Sequence, residues 1–447
     1  MTEPSNNTDL KRRDVLKALA TVPVFGFFLA NLWRKLSRDE LKRKNLLSDL
    51  VKEKKAPAII SNLSNSKHLN LGLIGYGGRG SHLARGAGFA TKNWTDYTYK
   101  NSKKNKLDKA FPTFMSQEDL NCSLVGVCDL FDINADQGLD ASQNDVRPGG
   151  KPKGIAKRYR DYRDLLSNDE IDAVIVATPD HWHSRITIDA AKAGKHVYCE
   201  KGLTRTFQEA LDVYDAIKET GMILQLGHQN RQVEANDKAK QIIDQGLLGP
   251  INLVELTTNR NSPWGAWVWN IHEAANSKTL DWNMFQEPSP NKIPFSEEAL
   301  KRFFRWRCWY DYGTGLSGDL FSHDYDALNQ ILGMGIPKYA SSTGGIYFYK
   351  DGRDVPDVWH ATLEYPDLDM TVLYSATLSS NNSRGNRIMG HDATMMMGGQ
   401  SNVGNVGGFI VTADSESTQY RERLQSGLIN TKYPILNYSP GSKQIDG

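Results

Sequence analysis

The chain is poor in cysteine, in net charge and in long apolar runs, and each shortage excludes a class. Four cysteines (Cys122, Cys128, Cys199, Cys308) in 447 residues are too few for a disulfide scaffold. Cys122 and Cys128 flank an apolar run that reads as one strand. Six residues of strand span about 20 Å, so that pair cannot bridge, and no cysteine spacing resembles a zinc site. Four reduced, buried thiols are expected. Charge is nearly balanced, with 54 Lys+Arg against 52 Asp+Glu. Residues 1–56 hold 13 and 7 of these, so the remainder is slightly acidic at 41 and 45. A nucleic-acid partner is therefore not expected. One uncharged run of sixteen residues, Ala18–Trp33, excludes a polytopic membrane protein. With 39% apolar and 24% charged residues the chain as a whole is neither disordered, collagenous nor coiled coil. No internal repeat is evident.

The leader reads as an address. Lys11-Arg12-Arg13-Asp14-Val15-Leu16-Lys17 precedes Ala18–Trp33, which is a basic segment followed by an apolar one. The paired arginines resemble a twin-arginine export signal. The run is shorter than the ~20 residues of a spanning helix, and Pro23 and Gly26 interrupt it. No A-x-A site follows, so an uncleaved membrane tether is an alternative to release; a surface amphipathic helix is another. The expectation is a protein exported by the twin-arginine machinery and facing the periplasm. Residues 1–66 are taken as signal and linker.

Leu69–Ile74 has the pattern of a buried strand. It runs into Gly75-Tyr76-Gly77-Gly78-Arg79-Gly80 and then a helical segment. Strand, G-x-G-x-x-G, helix is the arrangement in which glycines let backbone approach a pyrophosphate at a helix N-terminus. Ser123–Cys128 reads as the second strand. It ends at Asp129, placed to accept from a ribose hydroxyl, although 49 residues beyond Gly80 rather than the usual ~20 after the fingerprint. Asp129 disfavours a 2′-phosphate, so NAD is preferred over NADP; the alternative is an Asp that only caps the next helix. Residues 89–118 read as an inserted surface loop. Strand and helix alternate to about residue 226, which predicts a doubly wound parallel sheet. The dinucleotide-binding domain is set at 67–229, with ligand at the C-terminal strand ends.

Three segments fall at or beyond those ends: Thr178-Pro179-Asp180-His181-Trp182-His183, Gly194-Lys195-His196-Val197-Tyr198-Cys199-Glu200-Lys201, and Asp319-Leu320-Phe321-Ser322-His323. With the glycine fingerprint they resemble the Gfo/Idh/MocA (glucose–fructose oxidoreductase/inositol dehydrogenase) family. That family shows T-P-N-x-x-H, A-G-K-H-V-x-x-E-K-P and D-x-x-x-H in this order. The resemblance implies hydride transfer between a nicotinamide and a carbohydrate-like substrate. It implies His323 as base, Asp319 binding the sugar or orienting the imidazole, and Lys201 at the reacting hydroxyl. Glu200, Thr178, Pro179, His181 and His183 would contact cofactor. Two departures stand out: Gly202 replaces the proline and Asp180 the asparagine. Taken alone, His181 and His183 could share a metal, though no third ligand is apparent, and Asp319 and His323 could be a helix-surface pair.

Residues 230–447 read as an α+β domain. A helix over Gln232–Gln245 and a strand over Ile251–Thr258 come first. A helix over Asp319–Leu332 follows, then strands at Lys338–Tyr349, Val358–Tyr365 and Met370–Leu378. These are expected to form an open, mainly antiparallel sheet, a surface the family often uses for subunit contacts, so a homo-oligomer is expected. Residues 261–312 hold six of the ten tryptophans, suited either to sugar stacking or to structural packing. Arg305, Arg307 and Tyr312 could reach a polar substrate. No closing helix is read in the polar stretch ending at Gly447. The leading expectation is an NAD-dependent sugar or polyol oxidoreductase. The alternatives are a glycoside hydrolase using NAD transiently and a non-catalytic sugar-binding relative.

Overall fold

The computed structural model describes residues 68–143, 154–398, 408–414, 417, 421–422, 425 and 436–439. The leader, with its paired arginines and apolar run, and the polar stretch 440–447 lie outside the described residues. Among the described residues no helix is long and apolar enough to cross a membrane.

The first half builds a six-stranded sheet from β1 (Leu69–Ile74), β2 (Cys122–Cys128), β3 (Lys157–Tyr159), β4 (Ala173–Val176), β5 (His196–Glu200) and β6 (Leu224–Gly227). The order is β3-β2-β1-β4-β5-β6 and every pairing is parallel. β1 has β2 on one side and β4 on the other, so the chain reverses its winding there. That leaves a crevice beyond the C-terminal ends of these strands. Helices cover the sheet because its strands are apolar on both faces: Leu73, Val127, Val174 and Val176 are fully or almost fully buried.

The segment 89–118 is not a loop. It forms two helices, Lys92–Lys104 and Ala110–Met115. Thr91 caps the first by accepting from the Trp94 amide at 3.2 Å. The helices lock through edge-on ring pairs, Trp94 with Phe114 and Tyr99 with Phe111. The Lys/Asn-rich composition hid four aromatics that meet only once the helices pair.

The second half is an eight-stranded sheet. It adds β7 (Ile251–Asn259), β8 (Tyr339–Gly345), β9 (Val358–Tyr365), β10 (Met370–Thr377), β11 (Asn386–Gly390), β12 (Ala393–Met397), β13 (Phe409–Ala413) and β14 (Leu436–Tyr438). Its order is β14-β13-β12-β11-β7-β10-β9-β8, antiparallel except for β7 against β10. Alternation sets its two faces. Met370, Val372, Tyr374 and Ala376 point into the core, and Leu373 points out. The helices Glu234–Asp244 and Ser322–Leu332 supply further residues of that core. The helix read from Asp319 begins with a π turn over Ser317–Phe321, and regular α-helix starts at Ser322.

The tryptophan-rich segment divides. Trp282 and Trp309 are core residues, Trp267 is buried yet also borders a cleft, and Trp264, Trp269 and Trp306 line that cleft. Tyr312 is fully buried and is not a substrate contact. All four cysteines are buried.

Candidate active site

The glycine loop is shaped by two steric demands. Gly75 sits at φ 91°, and a Cβ there would lie 2.7 Å from the carbonyl oxygen of Ala177. A Cβ on Gly80 would run into the carbonyl oxygen of Gly75. Side chains at Gly77 and Gly78 would meet nothing within 4 Å, so this backbone faces open space. The helix Gly78–Gly86 starts there with no side-chain cap, leaving its first-turn amides to an anion. Tyr76 turns inward to the core, where burial pushes its phenol up to about 12.

Asp129, at the end of β2, accepts from the Tyr76 amide at 2.7 Å and the Phe131 amide at 2.9 Å. Burial raises its carboxyl to about 6 against those hydrogen bonds. The Asn134 side-chain amide adds long contacts of 3.4 Å to both oxygens, and Asp129 and Asn134 both line the cleft. Arg79 reaches from the glycine loop to Glu200 at the end of β5, Nε to Oε1 at 2.7 Å. The Tyr198 hydroxyl donates to the same oxygen at 3.2 Å.

The two histidines read as one pair do different work. Both lie in the first turn of the helix Asp180–Lys192. His181 packs against Phe285 and Tyr312, with Nε2 2.7 Å from the Phe285 carbonyl oxygen. Burial lowers it to about 3, and it does not line the cleft. His183 lies between the carbonyls of Gly202 at 3.0 Å and Thr178 at 2.7 Å, tying the loops after β4 and β5 together. It does line the cleft, as do Thr178 and Pro179. Asp180 accepts from Thr314, from the amide at 3.0 Å and the hydroxyl at 2.6 Å, and burial raises its carboxyl. No group of three His, Cys, Asp or Glu able to hold a metal occurs among the described residues.

At the cleft's centre Lys201 donates to Asp319, Nζ to Oδ1 at 2.7 Å and to the backbone oxygen at 2.6 Å. Arg307 donates from Nε to the same Oδ1 at 2.9 Å while its guanidinium lies over Trp306 at 4.1 Å. Burial alone would raise the Asp319 carboxyl, but the charges of Arg307 and Lys201 hold it far below the usual range. His323 lines the same cleft. Burial, with the Lys201 charge, lowers its ring to about 3. Its Nδ1 is buried without a hydrogen-bond partner, and the His228 ring stands edge-on at 6.1 Å. The π turn places Asp319 ahead of the helix that carries His323, a device common at functional sites. Of the residues that sequence reading considered beyond its site set, Arg307 enters the site, whereas Arg305 donates to the Trp269 carbonyl at 2.8 Å. Nothing in the R-W-R-C-W spacing separates the two arginines.

These groups share one cleft of about 1060 Å³, running from Gly75 and Gly77 past Asp129 to Lys201, Asp319 and His323. A dinucleotide fits this donor set. The uncapped helix end and open glycine backbone suit a pyrophosphate, Asp129 suits a ribose, and the buried Thr178 hydroxyl has no partner.

Residues 116–228 match a family model described as "Oxidoreductase family, NAD-binding Rossmann fold" (GFO_IDH_MocA). The chain is 28% identical over 202 residues to levoglucosan dehydrogenase of Pseudarthrobacter phenanthrenivorans, covering 43% of each chain. It is 36% identical over 214 residues to 2,7-anhydro-N-acetylneuraminate hydratase of Escherichia coli, covering 47% of this chain and 46% of that one. The chain thus spans less than half the length of these relatives. A solved levoglucosan dehydrogenase in complex with NADH and levoglucosan shares the fold, with TM-score 0.53, 21% identity, and 79% of this chain and 78% of the other covered. The all-parallel sheet and the open glycine loop agree with these similarities, and residues 116–228 resemble the NAD-binding Rossmann domain of the Gfo/Idh/MocA oxidoreductase family.

Proposed function

We propose that the protein is an NAD-dependent oxidoreductase acting on a CH–OH group of a sugar, sugar derivative or polyol. The observation that carries this is the meeting of Lys201, Asp319 and His323 in the cleft that begins at the glycine loop. The dinucleotide, when bound, supplies the hydride acceptor. Gly77, Gly78 and the helix end behind them would hold its phosphates, and Asp129 a ribose, favouring NAD over NADP.

The chain's own groups handle the proton. His323, kept neutral by its surroundings, accepts it from the substrate hydroxyl. Lys201 has three N–H donors and commits two contacts to Asp319, which leaves one for the substrate oxygen as charge develops there. Asp319, ionised between two cations, fixes the lysine. Arg307, held over Trp306, presents its remaining N–H groups to a polar substituent.

A second reading, transient oxidation followed by elimination at the neighbouring carbon, is favoured by the likeness to a hydratase. The leader supports export by the twin-arginine machinery to the periplasm, released or tethered. The outward apolar residues Leu373, Met396 and Ile410 on the second sheet support a homo-oligomer.

The test is to identify the nucleotide that co-purifies with the full chain, then supply sugars and polyols and follow NADH absorbance. Net reduction with one of them supports the oxidoreductase. Aglycone release or water elimination without net NADH supports the second reading. Neither result with any carbohydrate overturns both.

A further inference from the structure

We infer that the substrate has two joined sugar rings, the outer one stacked on a platform formed by Trp264 and Trp269. This deepens the reading of the cleft as a sugar site and rests on it.

The platform is built, not incidental. Trp264 is 67% exposed and Trp269 40%, yet both line the cleft that holds Lys201 and His323. Their rings stand 5.7 Å apart with planes at 40°. Trp267, between them, adopts φ 62° and is only 2% exposed. A bulky residue in the left-handed region is strained and persists only where its surroundings over-determine it. Here the buried Trp267 indole anchors the turn in the core. Its amide donates to the Trp264 carbonyl at 3.1 Å, and the Trp267 carbonyl accepts from the Trp269 amide at 3.0 Å. Arg305 braces Trp269, and the buried Arg353 donates to the Ala266 carbonyl at 3.0 Å. The sequence thus uses one tryptophan as an anchor to hold two others outward.

The surroundings match a sugar rather than an apolar partner. Asn261, Asn270 and Asn381 line the same cleft, and a side-chain amide pairs donor with acceptor as vicinal hydroxyls require. Flat aromatic faces beside such groups accommodate the C–H face of a pyranose and its hydroxyl rim together. A ring at Lys201 and His323 has Trp306 and Arg307 beside it, so the Trp264–Trp269 pair is left for a second.

The experiment is calorimetry on the full chain with NAD present, using matched probes: glucose with cellobiose and maltose, galactose with lactose. The expectation is that at least one disaccharide binds about tenfold more tightly than its monosaccharide. Trp264→Ala and Trp269→Ala should remove that gain and leave monosaccharide affinity unchanged, while Trp264→Phe should retain most of it. Equal binding of one and two rings overturns the inference. So does an equal loss for both in the variants, or a change of oligomeric state in place of one in affinity. If no carbohydrate binds, the sugar reading itself falls and this inference falls with it; monosaccharide binding without a disaccharide gain defeats this inference alone.

Discussion

Lys201→Met removes a charge and little volume, and its consequences can be worked from three contacts. Two unit charges 2.7 Å apart attract by about 6 kcal/mol at an effective dielectric of 20. Most of that offsets desolvation, and breaking a buried pair typically costs about 3–5 kcal/mol. Arg307 still neutralises Asp319 in the variant, so the lower end is expected, about 3 kcal/mol in urea unfolding at neutral pH. The same charge helps keep His323 near 3, second only to burial. Its removal should therefore raise the His323 titration, read by NMR of the ring carbon in histidine-labelled protein. A histidine whose folded pKa lies below its unfolded value costs stability as pH falls from 6.5 towards the folded pKa, about 1.4 kcal/mol per unit. The variant should thus lose less stability on acidification than the parent. Hydride transfer to NAD should fall by about a hundredfold or more, the usual share of a positioned acid–base group. An unmoved His323 titration with a stability loss under about 1 kcal/mol would refute the reasoning, because the ion pair would then not exist as described.

Two further substitutions test other parts of the fold. Asp324, buried and accepting from Thr258 at 2.8 Å, is raised by burial to about 7. Its contribution to stability is complete below about 3.8 and is lost as pH rises towards 7. Asp324→Asn should flatten that decline between about pH 4 and 7 in denaturant titrations, and parallel curves for parent and variant would count against it. Gly80→Ala drives a methyl into the Gly75 carbonyl. It should cost about 1–3 kcal/mol or more and reduce NAD uptake at least tenfold by calorimetry. Gly86→Ala, where nothing lies within 4 Å, should instead stabilise by about 0.4–1 kcal/mol. Similar behaviour of the two variants would show that the loop is not packed as described.

Much of the fold was legible because its signals are local. Buried parallel strands are continuous apolar runs, so β1 and β2 stood out, and Met370–Leu378 read as a strand of the second sheet. The glycine loop was legible because its sterics act within six residues. The helices of 92–115 were not, since their few aromatics meet only across the pair. His181 and His183 looked alike by spacing. Only the packing of Phe285 and Tyr312 around one, and of two loop carbonyls around the other, separates them.

By itself the chain's order of residues set out the parallel-sheet half with its glycine loop and marked Lys201, Asp319 and His323 as candidates, because period and motif are properties of neighbours. Tertiary structure alone decided that Arg307 joins Lys201 on one carboxylate, that a π turn sets Asp319 before His323, and that Trp267, Trp282 and Trp309 are buried while Trp264, Trp269 and Trp306 stay at least partly exposed. Those outcomes depend on which segments far apart in the chain exclude water from each other, and no local pattern records that.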